Sequence, residues 1–346
     1  MPKLQIGLPS LLRRKDASPA FPGYDLAPLH REGVAEFSYF NSRPTLVPDD
    51  LGGYDAVVLL GERIVAASLP ANDRLVHFAR MGVGFDTLDL EACTTRDVVI
   101  TTTPEAVRRP MAVATIACLL ALSTHLVSKN RIARQGPEGW RERSEYHGTG
   151  LVGRTLGLVG IGNIGAEVLR LVRPLGMRLI ACDPFASTEM AAELGVELVP
   201  LDELFRQADA VSLHCPLTDE TRHLVDERRL GLMKPGAYLI NTARGPVVDQ
   251  KALYRALVEG RIAGAALDVM DPEPSAEDEP LNRLDNVILT PHALGWTDQT
   301  WSGMAAIHMA AFHDLLAGRA PAYVVNREVL EQPGFQAKLA RLAGTG

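Results

Sequence analysis

Residues 151–183 read LVGRTLGLVGIGNIGAEVLRLVRPLGMRLIACD and form the most informative segment of the chain. Two short apolar runs are separated by a helical pattern, and three glycines (Gly160, Gly162 and Gly165) stand where that helix should begin. The second apolar run ends on Asp183. The glycines thus follow a strand and open a helix, and a second strand with an acid at its end comes next. In this order a G-x-G-x-x-G turn indicates dinucleotide binding rather than an ordinary glycine-rich turn.

Each of these positions has a physical reason. Gly160 permits a tight turn, Gly162 lets the backbone approach a pyrophosphate, and Gly165 lets the helix pack on the strand. The phosphates then bind unpaired N–H groups at the helix start. Asp183 stands where a carboxylate accepts hydrogen bonds from the ribose hydroxyls and repels a 2′-phosphate. The segment therefore predicts NAD rather than NADP as the cofactor.

Composition narrows the class of protein. A chain of 346 residues that is 47% hydrophobic can bury two cores of ordinary domain size. The net charge is −7 and the basic residues are dispersed, so nucleic acid is not an expected partner. The four cysteines form no C-x-x-C pair, which argues against disulfides or a metal site and favours a reducing, cytoplasmic compartment.

One segment resembles a membrane span in length. Residues 111–127 are nearly all apolar and approach the minimum length for crossing a bilayer. Polar residues such as Thr115 and His125 interrupt the run, and basic residues stand at both ends. We therefore predict a buried core helix and no membrane association. Residues 4–8 are too short an apolar run for a signal peptide.

Strand and helix patterns alternate along the chain. In the first part, we predict strands at 4–8, 56–60, 75–79 and 98–101. In the middle, strands recur at βαβ spacing, at 156–159, 178–182, 210–214, 237–241, 263–267 and 287–290. Between these parts we predict a long helix from Pro110 and then a loop at 136–139, and near the end a helix at about 300–317. The near-continuous apolar character of the strands is typical of parallel sheets that are covered on both faces.

Three charged or titratable residues follow predicted strands. Arg244 lies in NTARGPVVD, Glu273 in DVMDPEP and His292 in LTPHALG. Open α/β sheets bind ligands beyond the carboxyl ends of their strands, so we expect these side chains to share one crevice. Arg244 can bind a substrate carboxylate, His292 can move the proton of a hydroxyl, and Glu273 can orient the imidazole and favour its protonated form. Each could alternatively be an ordinary loop residue.

The sequence resembles the D-isomer-specific 2-hydroxyacid dehydrogenase family over nearly its whole length. The matching stretches are ARMGVGFDTLDLEA, GIGNIG, SLHCPLTDETRHLV, MKPGAYLINTARGPVVD, GAALDVMDPEP and TPHALGWT. The resemblance implies an α/β fold of two Rossmann-like or flavodoxin-like parallel-sheet domains, with the NAD-binding domain inserted into the substrate domain. On this basis residues 1–102 and 296–346 belong to the substrate domain and residues 103–295 to the NAD-binding domain.

The resemblance also implies residue roles. Arg244 would bind the carboxylate with help from backbone amides at Val83 and Gly84, and Glu273 and His292 would form the acid–base pair. Asp268 would lie near the nicotinamide amide. The full set of implied cofactor contacts is Gly160, Gly162, Asn163, Ile164, Gly165, Asp183, Cys215, Thr242, Asp268 and Gly295. Relatives are usually homodimers through the cofactor domain.

Some positions depart from the family pattern. Val113 stands where an acid is common, Trp296 where a small residue is common, and Arg108 and Arg109 are unusual. If the two arginines open the long helix, their charges oppose its dipole. Arg108 and Arg109 could then bind an extra polar or anionic group on the substrate. The alternative is that they reach solvent or pair with Glu105.

Two functions from different classes follow. The first is an NAD-dependent oxidoreductase acting on a small D-2-hydroxy or 2-keto acid, similar to glyoxylate/hydroxypyruvate reductases or phosphoglycerate dehydrogenases. Phosphite-oxidising relatives share the Arg, Glu and His set, whereas formate dehydrogenases pair the histidine with glutamine, so Glu273 argues against formate. The second is an NAD(H)-sensing binding protein of the corepressor type, because such proteins retain the same three residues.

Overall fold

The computed structural model describes residues 3–344 and contains a five-stranded parallel sheet in the first part of the chain. Its strands are β1 (Leu4–Pro9), β2 (Ala35–Phe40), β3 (Ala56–Leu59), β4 (His77–Arg80) and β5 (Val99–Thr101). They lie in the spatial order β2-β1-β3-β4-β5, and every neighbouring pair is parallel. This is the flavodoxin-like order that the family resemblance implied.

A seven-stranded parallel sheet follows in the middle of the chain. Its strands are β6 (Thr155–Val159), β7 (Arg178–Cys182), β8 (Glu197–Leu198), β9 (Ala210–Leu213), β10 (Tyr238–Asn241), β11 (Gly264–Leu267) and β12 (Val287–Leu289). The spatial order is β12-β11-β10-β9-β6-β7-β8, so the chain reverses direction across the sheet between β6 and β9. Ligands of open α/β sheets bind at such a reversal, beyond the carboxyl ends of the strands.

Helices connect the strands. In the first part they are α1 (Ala27–Arg31), α2 (Pro48–Leu51) and α3 (Leu90–Thr95). In the middle they are α4 (Pro104–Ser123), α5 (Leu126–Ala133), α6 (Pro137–Glu142), α7 (Asn163–Val172), α8 (Thr188–Leu194), α9 (Leu201–Gln207), α10 (Glu227–Leu230) and α11 (Gln250–Val258). The last two are α12 (Asp298–Leu316) and α13 (Pro333–Ala343).

The seven-stranded sheet is buried on both faces. Successive residues of one strand belong to two separate apolar clusters: Leu239 lies in one, and Ile240 lies in the other. The same alternation occurs in β6, where Leu158 and Val159 face opposite clusters. Side chains of successive strand residues point to opposite faces, so this alternation shows a sheet covered on both sides, as the apolar runs predicted.

The chain forms two compact units. One combines the residues up to Val107 with those from Trp296 onward, and the other runs from Arg108 to Gly295. We call them the outer-segment unit and the central unit. The central unit is thus inserted into the other, which confirms the predicted architecture of two parallel-sheet domains.

The helix α4 is the apolar segment that resembled a membrane span. Within residues 3–344 it is the one helix long and apolar enough for that role by length and composition, and half of its most apolar window is buried. Its side chains Ala112, Leu119 and Leu122 lie in a hydrophobic cluster of the central unit. This packing agrees with the predicted core helix.

Several predicted elements were wrong. The long helix begins at Pro104 rather than Pro110, because the first proline takes the tolerated first-turn position and the second lies inside the helix. The predicted loop at 136–139 contains the start of α6. Strands β2 and β8 were missed: β2 is an edge strand with exposed positions, and β8 has two residues.

Candidate active site

The turn after β6 has the geometry that the glycine pattern predicts. Gly160 has φ +90°, and a Cβ on it would lie 3.0 Å from the backbone of His214 and Cys215, at the end of the neighbouring strand β9. A Cβ on Gly165 would lie 2.4 Å from the carbonyl oxygen of Gly160. Two of the three glycines are therefore required by close backbone packing.

Gly162 has a different environment. A Cβ built on it meets no atom within 4 Å, and the residue caps α7, whose first residues are Asn163 and Ile164. The space in front of the helix N-terminus is therefore open at the residue where a pyrophosphate should approach. Unpaired N–H groups and the helix dipole make this end of α7 suited to an anion. The residues present fit a dinucleotide.

Asp183 follows β7 and is fixed by backbone groups. Its Oδ2 accepts a hydrogen bond from the amide of Ile161 at 2.8 Å, and its Oδ1 accepts one from the amide of Phe185 at 2.9 Å. The first bond ties the carboxylate to the glycine-rich turn itself. Each carboxylate oxygen can accept further bonds, so Asp183 is held in place and can still accept hydrogen bonds from a bound molecule.

Other predicted cofactor contacts lie beyond neighbouring strands. Cys215 follows β9, and burial raises the pKa of its thiol to about 11, so it stays protonated and neutral. Thr242 follows β10, and its hydroxyl lies 3.2 Å from that of Thr115 on α4. Gly295 is buried, and a Cβ there would lie 2.1 Å from the sulfur of Met111. A larger residue at 295 would therefore displace the Met111 side chain.

The loop that carries Arg244 is built by a buried side chain that sequence reasoning missed. Asn241, the last residue of β10, donates from Nδ2 to the carbonyl of Arg244 at 2.9 Å and accepts from the amide of Ala243 at 3.0 Å. Gly245 packs so closely on the next loop that a Cβ would lie 2.0 Å from the carbonyl oxygen of Met270. The loops that carry Arg244 and Glu273 are therefore in direct contact.

Glu273 and His292 form a hydrogen-bonded pair. Glu273 Oε2 lies 2.8 Å from His292 Nδ1, and Oε1 accepts from the amide of Met270 at 3.1 Å. Partial burial would raise the pKa of Glu273, but the hydrogen bond and charge of His292, the Met270 amide and the nearby Arg244 together lower it. The side chains are 48% exposed for His292 and 39% for Glu273, so the pair is open to a substrate.

Asp268 organises the turn that carries His292. Its Oδ1 accepts hydrogen bonds from the Thr290 hydroxyl at 2.7 Å and from the amides of Ala293 and Leu294 at 3.1 Å each. Its carbonyl accepts from the amide of His292 at 2.8 Å, and His292 is held at φ +52°. Such a backbone conformation in a non-glycine residue persists only when its surroundings fix it, which is common at functional sites.

The second carboxylate oxygen of Asp268, Oδ2, differs from Oδ1 in its hydrogen bonding. Within residues 3–344, Oδ2 makes no hydrogen bond, although the residue is only 2% exposed. Burial raises the pKa of this carboxyl group, and the three donors on Oδ1 together with His292 oppose that shift. Oδ2 can therefore accept a hydrogen bond from a bound molecule.

A cavity of about 530 Å³ lies against Glu273 and His292 in the central unit. Glu273, His292 and Asp268 line it together with Met270 and Thr290. The structure thus brings the loops after β10, β11 and β12 together at one edge of the sheet, as their order along the chain suggested.

Arg109 does not have the setting that we expected. Because α4 begins at Pro104, Arg109 lies in the second turn rather than at the helix N-terminus, so the argument from the helix dipole was wrong. Its Nε pairs with Glu167 on α7 at 3.0 Å rather than with Glu105, and Arg170 also pairs with Glu167 at 3.4 Å. The Arg109 side chain is 58% exposed, and a substrate contact stays a prediction.

Val83 and Gly84 lie in the outer-segment unit, in the turn after β4. The preceding residue, Gly82, has φ +105°, and its amide donates to the hydroxyl of Thr103 at 2.8 Å. Within the described part of the chain, the amides of Val83 and Gly84 donate to no protein acceptor. Two adjacent free amides in such a turn are suited to binding an anion.

Trp296 belongs to an aromatic cluster of the outer-segment unit. Phe21 stacks on Trp301 with ring centroids 3.9 Å apart, and Trp296 meets both rings edge-on at 5.1 and 5.2 Å. Phe21 comes from the long segment between β1 and α1, which gave no sequence signal of this contact.

Comparison with known proteins places these features in a family. Residues 116–293 match the family model described as the D-isomer specific 2-hydroxyacid dehydrogenase, NAD binding domain. A glyoxylate reductase of Korarchaeum cryptofilum is 42% identical over 287 residues, which cover 82% of this chain and 86% of that protein. A D-3-phosphoglycerate dehydrogenase of Methanocaldococcus jannaschii is 36% identical over 277 residues, or 80% of this chain and 52% of that protein.

A solved structure shares the fold. A crystal structure of a protein from Thermus thermophilus superposes with a TM-score of 0.80 at 33% identity, covering 93% of this chain and 100% of that one. These comparisons give no support to the alternative of an NAD(H)-sensing corepressor.

Proposed function

This chain belongs to the D-isomer-specific 2-hydroxyacid dehydrogenase family, and we propose that Arg244, Glu273 and His292 carry its chemistry. It is an NAD-dependent oxidoreductase that acts on 2-hydroxy and 2-keto acids. The observation that carries the residue assignment is the 2.8 Å contact between Glu273 and His292 at the edge of the NAD-binding sheet.

His292 is the proposed acid and base. Its Nδ1 is engaged by Glu273, so Nε2 is the nitrogen left for a substrate. During keto-acid reduction the imidazolium donates its proton to the substrate oxygen, and during hydroxy-acid oxidation the neutral ring takes that proton back. Glu273 favours the charged ring, because its own lowered pKa keeps it a carboxylate at neutral pH.

Arg244 is the proposed carboxylate ligand. A guanidinium can bind a carboxylate through two parallel hydrogen bonds, which also fixes the orientation of the 2-keto group. The backbone amides of Val83 and Gly84 are proposed to help hold a substrate carboxylate, which their lack of protein acceptors in residues 3–344 supports. These contacts would select 2-keto acids over simple aldehydes and ketones.

The central unit is proposed as the cofactor domain. The helix N-terminus at Gly162 and Asn163 would hold the pyrophosphate, and Asp183 would accept the ribose hydroxyls. The free Oδ2 of Asp268 would accept a hydrogen bond from the carboxamide of the nicotinamide. When bound, NAD would accept a hydride during hydroxy-acid oxidation, and NADH would supply a hydride for keto-acid reduction. Ile164, Cys215, Thr242 and Gly295 are proposed to complete the contacts.

The proposed substrate is a small keto acid such as glyoxylate or hydroxypyruvate. A substrate of the phosphoglycerate type is the second candidate. The relatives described above carry both kinds of name. We also propose a cytoplasmic location, since all four cysteines are free thiols.

A homodimer through the central unit is proposed from its surface. Val113 and Leu120 are seven residues apart on one face of α4, and both are exposed. The other large apolar side chains exposed in the following segment are Leu126, Val127, Trp140 and Val152. A concentration of exposed apolar side chains is typical of an interaction surface. Light scattering at micromolar concentration tests this proposal.

The function is tested by turnover with NADH and a panel of keto acids. We expect oxidation of NADH with glyoxylate or hydroxypyruvate, and none with acetaldehyde or acetone, which lack a carboxylate. The reverse direction with formate or phosphite as donor tests the related activities. NADH binding without turnover of any 2-keto acid would contradict the proposal and return the chain to a binding function.

A further inference from the structure

The turn that carries Val83 and Gly84 is held by a neighbouring residue, Thr103. The Thr103 hydroxyl accepts a hydrogen bond from the amide of Gly82 at 2.8 Å, and the Thr103 amide donates to the carbonyl of Gly82 at 2.8 Å. The same hydroxyl lies 3.3 Å from that carbonyl and can donate to it. Within the described part of the chain, residues 82–84 make no hydrogen bond to any other residue. The conformation of this turn therefore depends on Thr103.

Thr103 has a rigid setting of its own. It is completely buried, β5 ends two residues earlier at Thr101, and α4 begins at the next residue, Pro104. Strand β5 pairs with β4, whose last residue, Arg80, comes two residues before Gly82. Gly82 and Thr103 thus follow the ends of two paired strands, and the bonds between them fix the turn to the edge of the sheet.

The bonds to Gly82 also set the direction of the next amide. The carbonyl of Gly82 and the N–H of Val83 belong to one planar peptide unit, and this unit is trans. In a trans peptide the carbonyl and the N–H point in opposite directions, so the Val83 amide points away from Thr103. Gly82 has φ +105°, and a glycine readily adopts other conformations unless its neighbours hold it.

We propose that Thr103 is a positioning residue for substrate binding. By fixing the peptide between Gly82 and Val83, it presents the amides of Val83 and Gly84 to a substrate carboxylate. Both residues are partly exposed, so a ligand can reach them. The inference rests on the proposed carboxylate role of these two amides. Thr103 touches neither substrate nor cofactor in this account, so its loss should weaken substrate binding and leave the chemical step unchanged.

The test is the Thr103→Val variant, which keeps the shape of the side chain and removes its hydroxyl. The Gly82 amide then loses its acceptor, and the turn can rotate to place that amide in water. We expect the KM for glyoxylate and the inhibition constant of oxamate, a carboxylate-bearing analogue, to rise together by roughly three- to tenfold, the scale of one lost hydrogen bond. The kcat and the affinity for NADH, measured by its fluorescence, should stay within about twofold of the parent. Thr103→Ser keeps the hydroxyl and should restore both constants.

Thr101→Val is the matched control. Thr101 belongs to the same unit and is also completely buried, and its hydroxyl lies 2.8 Å from Nε2 of His77. The control therefore removes a buried threonine hydroxyl that bonds to another partner. If Thr101→Val raises KM and the oxamate constant as much as Thr103→Val does, the positioning role is wrong while the proposed function stands. The same conclusion follows if Thr103→Val leaves both constants unchanged.

Gly82→Ala perturbs the turn without changing Thr103, and it serves as the second variant if Thr103→Val does not fold. A Cβ at this position has its nearest neighbour 3.9 Å away, so there is space for it, but φ +105° is unfavourable for alanine. This variant should raise the same two constants, and unchanged constants would contradict the positioning role. A parent enzyme that neither reduces a 2-keto acid nor binds oxamate contradicts the proposed function itself, and this role with it.

Discussion

Replacing Glu273 by glutamine removes one negative charge next to His292 and keeps a hydrogen-bond acceptor in place. The pair is 2.8 Å apart and roughly half exposed, so the attraction is screened by water. Two unit charges with centres about 4 Å apart in water interact by about 1 kcal/mol. Since one pH unit corresponds to about 1.4 kcal/mol, the loss of this charge should move the pH dependence of turnover by roughly 0.7 of a pH unit.

The direction of the shift follows from the chemistry. Keto-acid reduction needs the imidazolium, so its rate falls as pH rises and the proton leaves the ring. Without the carboxylate the proton leaves at lower pH, and the alkaline decline of the reduction rate should move down by roughly 0.7 unit. Hydroxy-acid oxidation needs the neutral ring, so its acidic limb should move down by the same amount.

The assay is a pH profile of kcat/KM in both directions at fixed ionic strength. Glu277→Gln is the control, because it removes the same charge from the same loop at an exposed position. If the limbs of the Glu273→Gln pH profile stay within roughly 0.2 pH unit of the parent, which corresponds to about 0.3 kcal/mol, Glu273 does not have the proposed role. Equal shifts in both variants would indicate a long-range charge effect.

Three further predictions follow from the site. His292→Ala should lower the reduction rate by roughly 10²- to 10⁴-fold, the usual contribution of general acid catalysis, while NADH binding followed by fluorescence stays intact; a loss below tenfold would exclude His292 as the acid. Asp183→Ala should narrow the preference for NADH over NADPH, and comparable catalytic efficiency of the parent with both cofactors would contradict the role of Asp183. Arg109→Ala should raise KM for a dianionic keto acid more than for glyoxylate if Arg109 contacts substrate; equal effects would assign it to its ion pair with Glu167.

Much of the fold could be predicted because its signals are local. Parallel strands that are buried on both faces leave continuous apolar runs, and the predicted strand positions in the central unit differ from the observed ones by a residue or so. The edge strand β2 was not predicted, because it pairs on one side only and two of its residues are exposed, so it lacks a continuous apolar run. The helix start at Pro104 was not predicted, because Pro104 and Pro110 could each have occupied the first turn of the helix.

The candidate site was predictable only in part. Strand ends, glycines and charged residues are visible in sequence, so Arg244, Glu273 and His292 could be placed at one edge. The groups that hold them were not visible, because they act through backbone contacts. Asn241 shapes the Arg244 loop, and Asp268 ties the turn of His292 from more than 20 residues away.

Long-range polar contacts were the least accessible. Tyr24 and His308 are 284 residues apart, and each reads as an ordinary residue within its own segment. Only the packing of α12 against the segment before α1 makes them partners.

Hydride transfer from NADH to the 2-position of a keto acid should produce a hydroxy acid of D configuration. Chiral analysis of the glycerate formed from hydroxypyruvate and C4-deuterated NADH tests it most directly. We expect D-glycerate that carries the deuterium at C2, formed roughly 10²- to 10⁴-fold more slowly by the His292→Ala variant at the same enzyme concentration. L-glycerate, or the absence of any glycerate although NADH binds, would contradict it.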